Sequence, residues 1–343
     1  MKKLSLIFIV FVLLSCEKEA ILPVANETFE SMSGASTGCN CPGFFENSHA
    51  GSCVLDGETI DAEIDQTKVH DRIHRWAGSS SSLSHHYENG SGQIAFGFSC
   101  ADLCTLVTQV SNGESKPAGI RMYFGMTGTN TTGMSQLRIF LMPVDVNGGD
   151  MFPTDENKFC LGFTEGMTVI PIVDTLSCLG LGTANSALTN DPASGFVSKV
   201  DFLKYRRNFL RSLPVDPNHD GARKCNIAGC QTAGGYWYSS YTFCLQAFAY
   251  LLQKDGADGI RFYFGVRTSS SVVLQDFTEH TCAIVATKYD SNAGLYGDIC
   301  PAWDNTETNK TAQANEDEIY FIDWAHPCPT LCNGGHEDHL DLQ

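Results

Sequence analysis

The seven-residue phrase Gly-Ile-Arg-Met-Tyr-Phe-Gly at 119–125 returns as Gly-Ile-Arg-Phe-Tyr-Phe-Gly at 259–265, with six of the seven positions identical across an offset of 140 residues. Repetition at this distance constrains a fold more than any local propensity, because each copy must find equivalent surroundings. Without a gap the match reaches back to a leading cysteine, Cys104 opposite Cys244. Further upstream Phe-Gly-Phe-Ser at 96–99 faces Tyr-Trp-Tyr-Ser at 236–239. Downstream, the stretch 139–150 faces 283–294, and the run ending at Cys178 resembles the run ending at Cys328. The order of these matches predicts two tandem copies of one domain, at 53–187 and 195–335.

Each copy reads as the same succession of elements. A first helix is predicted over 60–76, with Ile60, Ile64, Ile73 and Trp76 near one face, and its counterpart over 198–212. The second of these starts with Ser198 and Asp201 in capping-box spacing and has Pro214 beyond its end. A short aromatic strand and a second helix follow. Ser99 and Asp102 supply the cap, and Cys100, Leu103, Cys104 and Val107 the helical spacing; Phe243, Ala247, Phe248, Leu251 and Leu252 do the same in copy two. Asn112-Gly113 and Asp255-Gly256 end these helices. In the repeated phrase, alternation sets Ile120, Met122 and Phe124 on one face of a strand and Arg121 and Tyr123 on the other, with Ile260, Phe262 and Phe264 opposing Arg261 and Tyr263. The apolar runs at 139–144 and 283–287 would pair antiparallel with it, beside turns at 145–150 and 290–292. The expected class is α+β: two copies of a small, disulfide-rich domain in which helices cover one face of an antiparallel sheet.

The N-terminus carries Lys2 and Lys3, an apolar run from Leu4 to Leu14, and then Leu-Leu-Ser-Cys at 13–16. A run of eleven residues, ten of them apolar, is too short for a spanning helix and reads as a secretory signal over 1–15. Ser15 before Cys16 resembles the lipobox of bacterial lipoproteins, which implies cleavage after Ser15 and diacylation of the Cys16 thiol. Residues 16–52 then form a lipid anchor and tether, and 336–343 an acidic, His-containing tail. Removing 1–15 deletes two lysines and no acid, so the formal charge of −17 becomes more negative still. Such a chain repels phosphate backbones, and a nucleic-acid partner is excluded on that ground. The fourteen cysteines other than Cys16 divide seven and seven about residue 190. In an exported chain they suggest disulfides, and if all fourteen were oxidised one bridge would have to join the halves.

The aromatic–Ser helix start at Phe98-Ser99, the strand Gly119–Gly125, the turn Asp145–Asp150 and the Cys-Pro-Thr-Leu-Cys run at 328–332 together resemble a family of exported Bacteroidota proteins. The resemblance covers most of 95–180 and 235–332. This chain departs from the usual form in being duplicated and in lacking the Cys-Pro pair at the end of copy one. Cys-Glu-Lys-Glu-Ala at 16–20 is likewise similar to the charged signal that sends some lipoproteins of that group to the outer face of the outer membrane. The resemblance implies a fold unit and an address, an outer-membrane lipid anchor with surface display favoured over the periplasmic face. It implies no reaction.

Candidate chemistry is sparse. Asp216, Asn218 and Asp220 before Gly221 have the alternation that opens a calcium loop, but position 12 is Ile227 rather than a bidentate Glu, and a polar turn after Pro214 is the plainer account. His70 and His74 lie four apart on the first helix, as zinc ligands can, yet Asp71 stands where a metalloprotease motif needs Glu. Cys328, Cys332, His336 and His339 could ligate a metal, although a disulfide and a frayed tail fit an exported chain better. Arg121 with Tyr123, and Arg261 with Tyr263, are the repeated polar pairs. They would either contact an anionic or aromatic ligand or pair with a carboxylate beneath a loop, and the second, structural role is preferred. No phosphate-binding loop, nucleophile elbow or metalloprotease signature is present in the sequence. The expectation is a non-catalytic surface lipoprotein that binds or helps assemble something outside the cell, with an outer-membrane protein as candidate partner. No cofactor is required for that role, calcium being the one candidate. The alternative is a metal-assisted extracellular hydrolase using His70 and His74.

Overall fold

The computed structural model describes residues 39, 41, 54–55, 58–59, 62–63, 66–78, 95–110, 116–126, 137–162, 189–190, 195–212, 223–224, 235–237, 240–269, 277–291, 295–300, 321–323 and 326–327. The first strands are short: β1 (Val54–Leu55), β2 (Glu58–Thr59) and β3 (Ala62–Glu63). Helix α1 (Gln66–Gly78) follows. It starts six residues later than the sequence pattern predicts, because Ala62 and Glu63 are in a strand instead. Next come β4 (Ala95–Ser99), α2 (Cys100–Val110), β5 (Gly119–Met126), β6 (Leu137–Val144) and β7 (Cys160–Gly162). The second half supplies β8 (Thr189–Asn190), β9 (Gly195–Val197), α3 (Lys199–Ser212), β10 (Arg223–Lys224), β11 (Gly235–Trp237), β12 (Ser240–Cys244) and α4 (Leu245–Leu252). It ends with β13 (Gly259–Ser269), β14 (Phe277–Asp290), β15 (Leu295–Asp298), β16 (Phe321–Asp323) and β17 (His326–Pro327). The fold is α+β, with two large, mainly antiparallel sheets.

The pairing of these strands crosses the boundary expected between the halves. One sheet runs β17-β12-β5-β6-β7-β9, so β5, β6 and β7 from the first half stand between β17 and β12 on one side and β9 on the other, all three from the second half. Its strands β5, β6, β7, β9 and β12 all lie between 119 and 244, a stretch that also carries β8, β10 and β11 of the other sheet. The other sheet sets β4, from the N-terminal side, against β13 and β14, from the C-terminal side. Its far edge is closed by β16 pairing with both β14 and β3. The middle sheet is thus drawn mainly from the middle of the chain and the end-built sheet mainly from its two ends. Yet β8, β10 and β11 of the end-built sheet lie in the middle of the chain, and β17 of the middle sheet lies near its C-terminal end. Domains at 53–187 and 195–335 would each close a sheet alone, and the observed pairings do not divide that way.

The registers also correct the alignment of the repeat. In the end-built sheet Ser99 opposes Gly259 and Phe98 opposes Ile260; in the middle sheet Cys244 opposes Gly119 and Phe243 opposes Ile120. Phe96–Ser99 therefore corresponds to Tyr241–Cys244, not to 236–239. The leading match of Cys104 with Cys244 falls away too, since Cys104 lies inside α2 and Cys244 ends a strand. Five residues fewer separate strand and phrase in the second half, and an ungapped comparison anchored on the phrase cannot register that.

Both faces of the repeated strand are buried. All eight residues of β5 are inaccessible, as are 259–265 of β13. The inner faces, with Ile120, Met122 and Phe124 on one sheet and Ile260, Phe262 and Phe264 on the other, share a single apolar cluster with α2 and α4. Helices α2 and α4 lie between the sheets, α2 touching β6, β7 and β13, and α4 touching β5, β12, β13 and β14. The outer face of β5 is covered by α3 and that of β13 by α1. Glycine makes those contacts close. A Cβ on Gly125 would stand 2.5 Å from the Phe140 ring and 3.0 Å from Tyr205 Cβ, and one on Gly265 would stand 2.8 Å from Arg72 Cβ. The sequence predicts the apolar face of the phrase beneath a helix and its arginine beneath a loop, and the structure buries both faces under helices. Apolar burial contributes roughly 1.5–3 kcal/mol for each large side chain, and here both faces contribute.

Helix starts follow local chemistry. The Asp102 amide donates to Ser99 Oγ at 3.1 Å, and the Asp201 amide to Ser198 Oγ at 3.1 Å. Two disulfides, Cys39–Cys100 and Cys41–Cys104, fasten the N-terminal side of the chain to α2, with Cys39 and Cys41 buried. Both cysteines lie within the stretch 16–52 that the sequence reads as anchor and tether.

Candidate functional site

Arg121 leaves β5 on its outer face and is 1% exposed. Its Nε donates to Thr242 Oγ1 at 3.0 Å, its Nη2 to the Gly148 carbonyl at 2.7 Å and its Nη1 to Asp150 Oδ1 at 2.7 Å. The Tyr123 hydroxyl donates to Asp150 Oδ2 at 2.5 Å, so one carboxylate gathers both side chains of the phrase. The turn that carries Asp150 is built by Asp145, whose Oδ1 accepts the amides of Asn147 and Gly149, each at 2.8 Å. Its carboxylate is engaged by its own loop, which makes 145–150 the turn that the sequence predicts.

The second phrase repeats this arrangement. Arg261 Nη1 donates to Asp298 Oδ1, its Nη2 donates to the Tyr296 carbonyl at 2.8 Å, and the Tyr263 hydroxyl donates to Asp298 Oδ2 at 2.7 Å. Neither side chain of the Arg261–Asp298 pair has solvent exposure. Each tyrosine ring also sits beside its own arginine, with the guanidinium carbon 5.9 Å from the ring centroid in both. Arg206 of α3 also lies against the Tyr123 ring, its guanidinium carbon 5.0 Å from the centroid. A buried guanidinium must be paired, and here the pairing is complete enough to fix the strand, the turn and the covering helix together.

The electrostatics agree with a structural role. Burial acts to lower the Arg121 pKa, but Tyr123 and Asp150 outweigh it and the value is raised, so the charge is permanent. Burial, aided by the Asp150 charge and opposed by Arg121, pushes the Tyr123 hydroxyl well up, and it stays a proton donor. Such a group neither titrates near neutrality nor reaches solvent. The carboxylate expected beneath a loop is Asp150 for Arg121 and Asp298 for Arg261, and the sequence reading picked out neither as that partner. Both follow glycine, as Gly149-Asp150 and Gly297-Asp298, and that shared pair was the available signal.

The remaining candidates are dispersed. His70 is partly buried on α1, its Nδ1 3.5 Å from Asp71 Oδ1. His74 lies on the same helix, with its side chain outside the described residues. Asp216, Asn218 and Asp220, the lipidated Cys16, and the Cys328, Cys332, His336 and His339 set also lie outside them. Among the described residues no group of three His, Cys, Asp or Glu is placed to hold a metal. No described helix is long and apolar enough to cross a membrane. Cys160 and Cys282 are buried free thiols, their pKa values raised by burial. With one of these in each half, six other cysteines remain on each side, and the parity argument no longer forces a bridge between halves.

Comparison with known proteins found no relative. No family model, no curated protein and no solved structure matches this chain. The geometry must therefore be interpreted without a template, and its most distinctive feature is the pair of internal Arg–Tyr–Asp clusters.

Proposed function

We propose that this chain is an outer-membrane lipoprotein, anchored through Cys16 and displayed on the cell surface, with a non-catalytic role in binding or assembly. We also propose that it is built from two copies of one unit. The observation that carries the role is the fate of the repeated polar residues. A duplicated catalytic or ligand-contacting pair would meet solvent, whereas Arg121, Tyr123, Arg261 and Tyr263 are all enclosed. What recurs is a device for holding shape. The disulfides at Cys39 and Cys41 support the exported address, because such bridges persist in oxidising compartments. They also leave only the stretch from Cys16 to Cys39 as a spacer between lipid and fold. The partner in this reading is the membrane, through the lipid, together with an outer-membrane protein.

The test is fractionation of cells producing the parent chain and Cys16→Ser. The parent is expected with the outer membrane and the variant in a soluble fraction. Digestion of intact cells by an added protease is expected to remove the parent. Membrane retention of the variant would overturn the anchor, and protection of the parent in intact cells would place it on the periplasmic face.

A further inference from the structure

The outer side of α3 carries Val200, Lys204, Arg207 and Arg211, spaced so that all four fall along one face of the helix. Val200 is 76% exposed, Lys204 and Arg211 are exposed and Arg207 is partly so. The opposite side holds Phe202, Tyr205, Arg206 and Phe209, all buried. The acid of α3, Asp201, is held at the helix start, where Ser198 Oγ donates to its Oδ2 at 2.9 Å. Lys199 pairs with Glu156 at 2.8 Å, so the positive charge of the stripe gathers toward the C-terminal half. Folding does not call for such a stripe. Like charges three and four positions apart weaken a helix, and the dipole favours only Arg211, in the last turn. Helix α1 gives the comparison, because it covers β13 as α3 covers β5. Arg72 of α1 stands against Gly265 where Tyr205 of α3 stands against Gly125. In that register Val69 and Ile73 match Phe202 and Arg206, all four buried. Lys204, Arg207 and Arg211 then fall opposite Asp71, His74 and Gly78. The repeated strand is thus covered equally well by a helix whose matching positions carry an acid, a histidine and a glycine.

We infer that this stripe is a docking surface for the anionic lipid headgroups of the membrane that carries the anchor, an inference that rests on the anchoring proposed above. Its cations stand together on a chain of formal charge −17. The Debye length is about 8 Å at physiological salt, so acids elsewhere on the surface are screened from a contact made at α3. A free polyanion must still approach against the net charge, whereas a lipid-anchored chain is already at its membrane. The stretch from Cys16 to Cys39 spans 23 residues. At about 3.5 Å per residue when extended, it is long enough for any face to turn to the lipid. Charge then chooses the face. Each basic side chain close to an anionic membrane shifts the population roughly fivefold, about 1 kcal/mol. Val200, at the start of the stripe, adds an apolar side chain to the same face.

The test holds the full chain, as Cys16→Ser with an added N-terminal polyhistidine tag, on vesicles containing a nickel-chelating lipid. The tag supplies the anchor, so the outcome is independent of acylation, which the fractionation above tests separately. Vesicles of phosphatidylcholine are compared with vesicles that also contain phosphatidylglycerol. Lysines are acylated by a water-soluble reagent and read by mass spectrometry. Acylation of Lys204 is expected to slow by at least about fivefold on the phosphatidylglycerol vesicles. The exposed Lys288 of the other sheet is expected to react alike on both. Salt at about 1 M, where the Debye length is about 3 Å, is expected to remove the difference at Lys204, as is Arg207→Glu combined with Arg211→Glu. Lys204 reacting alike on both kinds of vesicle would overturn the inference, and so would protection that survives the salt or the double variant. Where the double variant loses the parent's circular dichroism, Arg207→Gln with Arg211→Gln replaces it, and protection unchanged from the parent is again the overturning result.

Discussion

The backbone amide of Leu245 donates to the carbonyl of Ala118 at 2.9 Å. The first residue of a helix in the second half is thereby tied to the residue just before the repeated phrase in the first half. The amide of Cys100 makes the reciprocal bond, to the Asp258 carbonyl at 2.8 Å. Each bond satisfies one of the amides that a helix start leaves without a partner. Each also stitches together strands that lie more than a hundred residues apart in the chain.

Asp258 has a second task, since its carboxylate accepts the Tyr289 amide, with Oδ2 at 2.9 Å. Burial raises its pKa, opposed by the Tyr289 and Asp258 amides and by the Lys288 charge. A carboxylate whose folded pKa lies above its unfolded value, about 4, holds its proton longer in the folded state. Folding stability therefore falls as pH rises from about 4 through the folded pKa, and is level above it. Asp258→Asn keeps an acceptor for the amide and removes the titration. Denaturant melts across this window are expected to show that the variant gains relative to the parent as pH rises, and a constant difference would contradict the assignment.

Removing Arg121 leaves Asp150 buried without its cation. Breaking a buried pair in this way costs about 3–5 kcal/mol. Arg121→Ala and Arg261→Ala are both expected to lower unfolding free energy by that order in urea melts. A surface arginine would change little, so stability close to that of the parent would show that these side chains are not held as described.

Gly125→Ala sets a methyl group against the Phe140 ring and Tyr205, and Gly265→Ala sets one against α1 at Arg72. Overpacking of a filled interior costs about 1–3 kcal/mol. Both variants are expected to lose stability in that range, although alanine is ordinarily the better residue within a strand. Thermal melts would settle it, a neutral result meaning that helix and strand can move apart freely.

Cys160 and Cys282 are expected to resist alkylation in the native protein and to react fully in denaturant without reductant. Their burial both blocks access and disfavours the thiolate that reacts. Mass spectrometry of alkylated peptides reports each site separately. Rapid native labelling at either position would contradict the packing.

Much of this was legible in the chain. The match of six positions in seven between 119–125 and 259–265 announced a recurring strand, the alternation within it separated Arg121 and Tyr123 from Ile120 and Phe124, and Ser99 and Ser198 marked two helix starts. These are short-range facts, set by side chains a few positions apart. A repeat, however, fixes a period and not a phase: nothing along the chain says where one folding unit stops and the next begins. That was decided by which strand edge could be reached, and β4 pairs with β13 while β12 pairs with β5. What encloses the polar face was beyond the sequence. A carboxylate beneath a loop was expected for Arg121, but not that Asp150 would supply it or that α3 would arrive from the other half to cover it. Pairing partners and covering layers come from distant parts of the chain, and only tertiary structure brings them together.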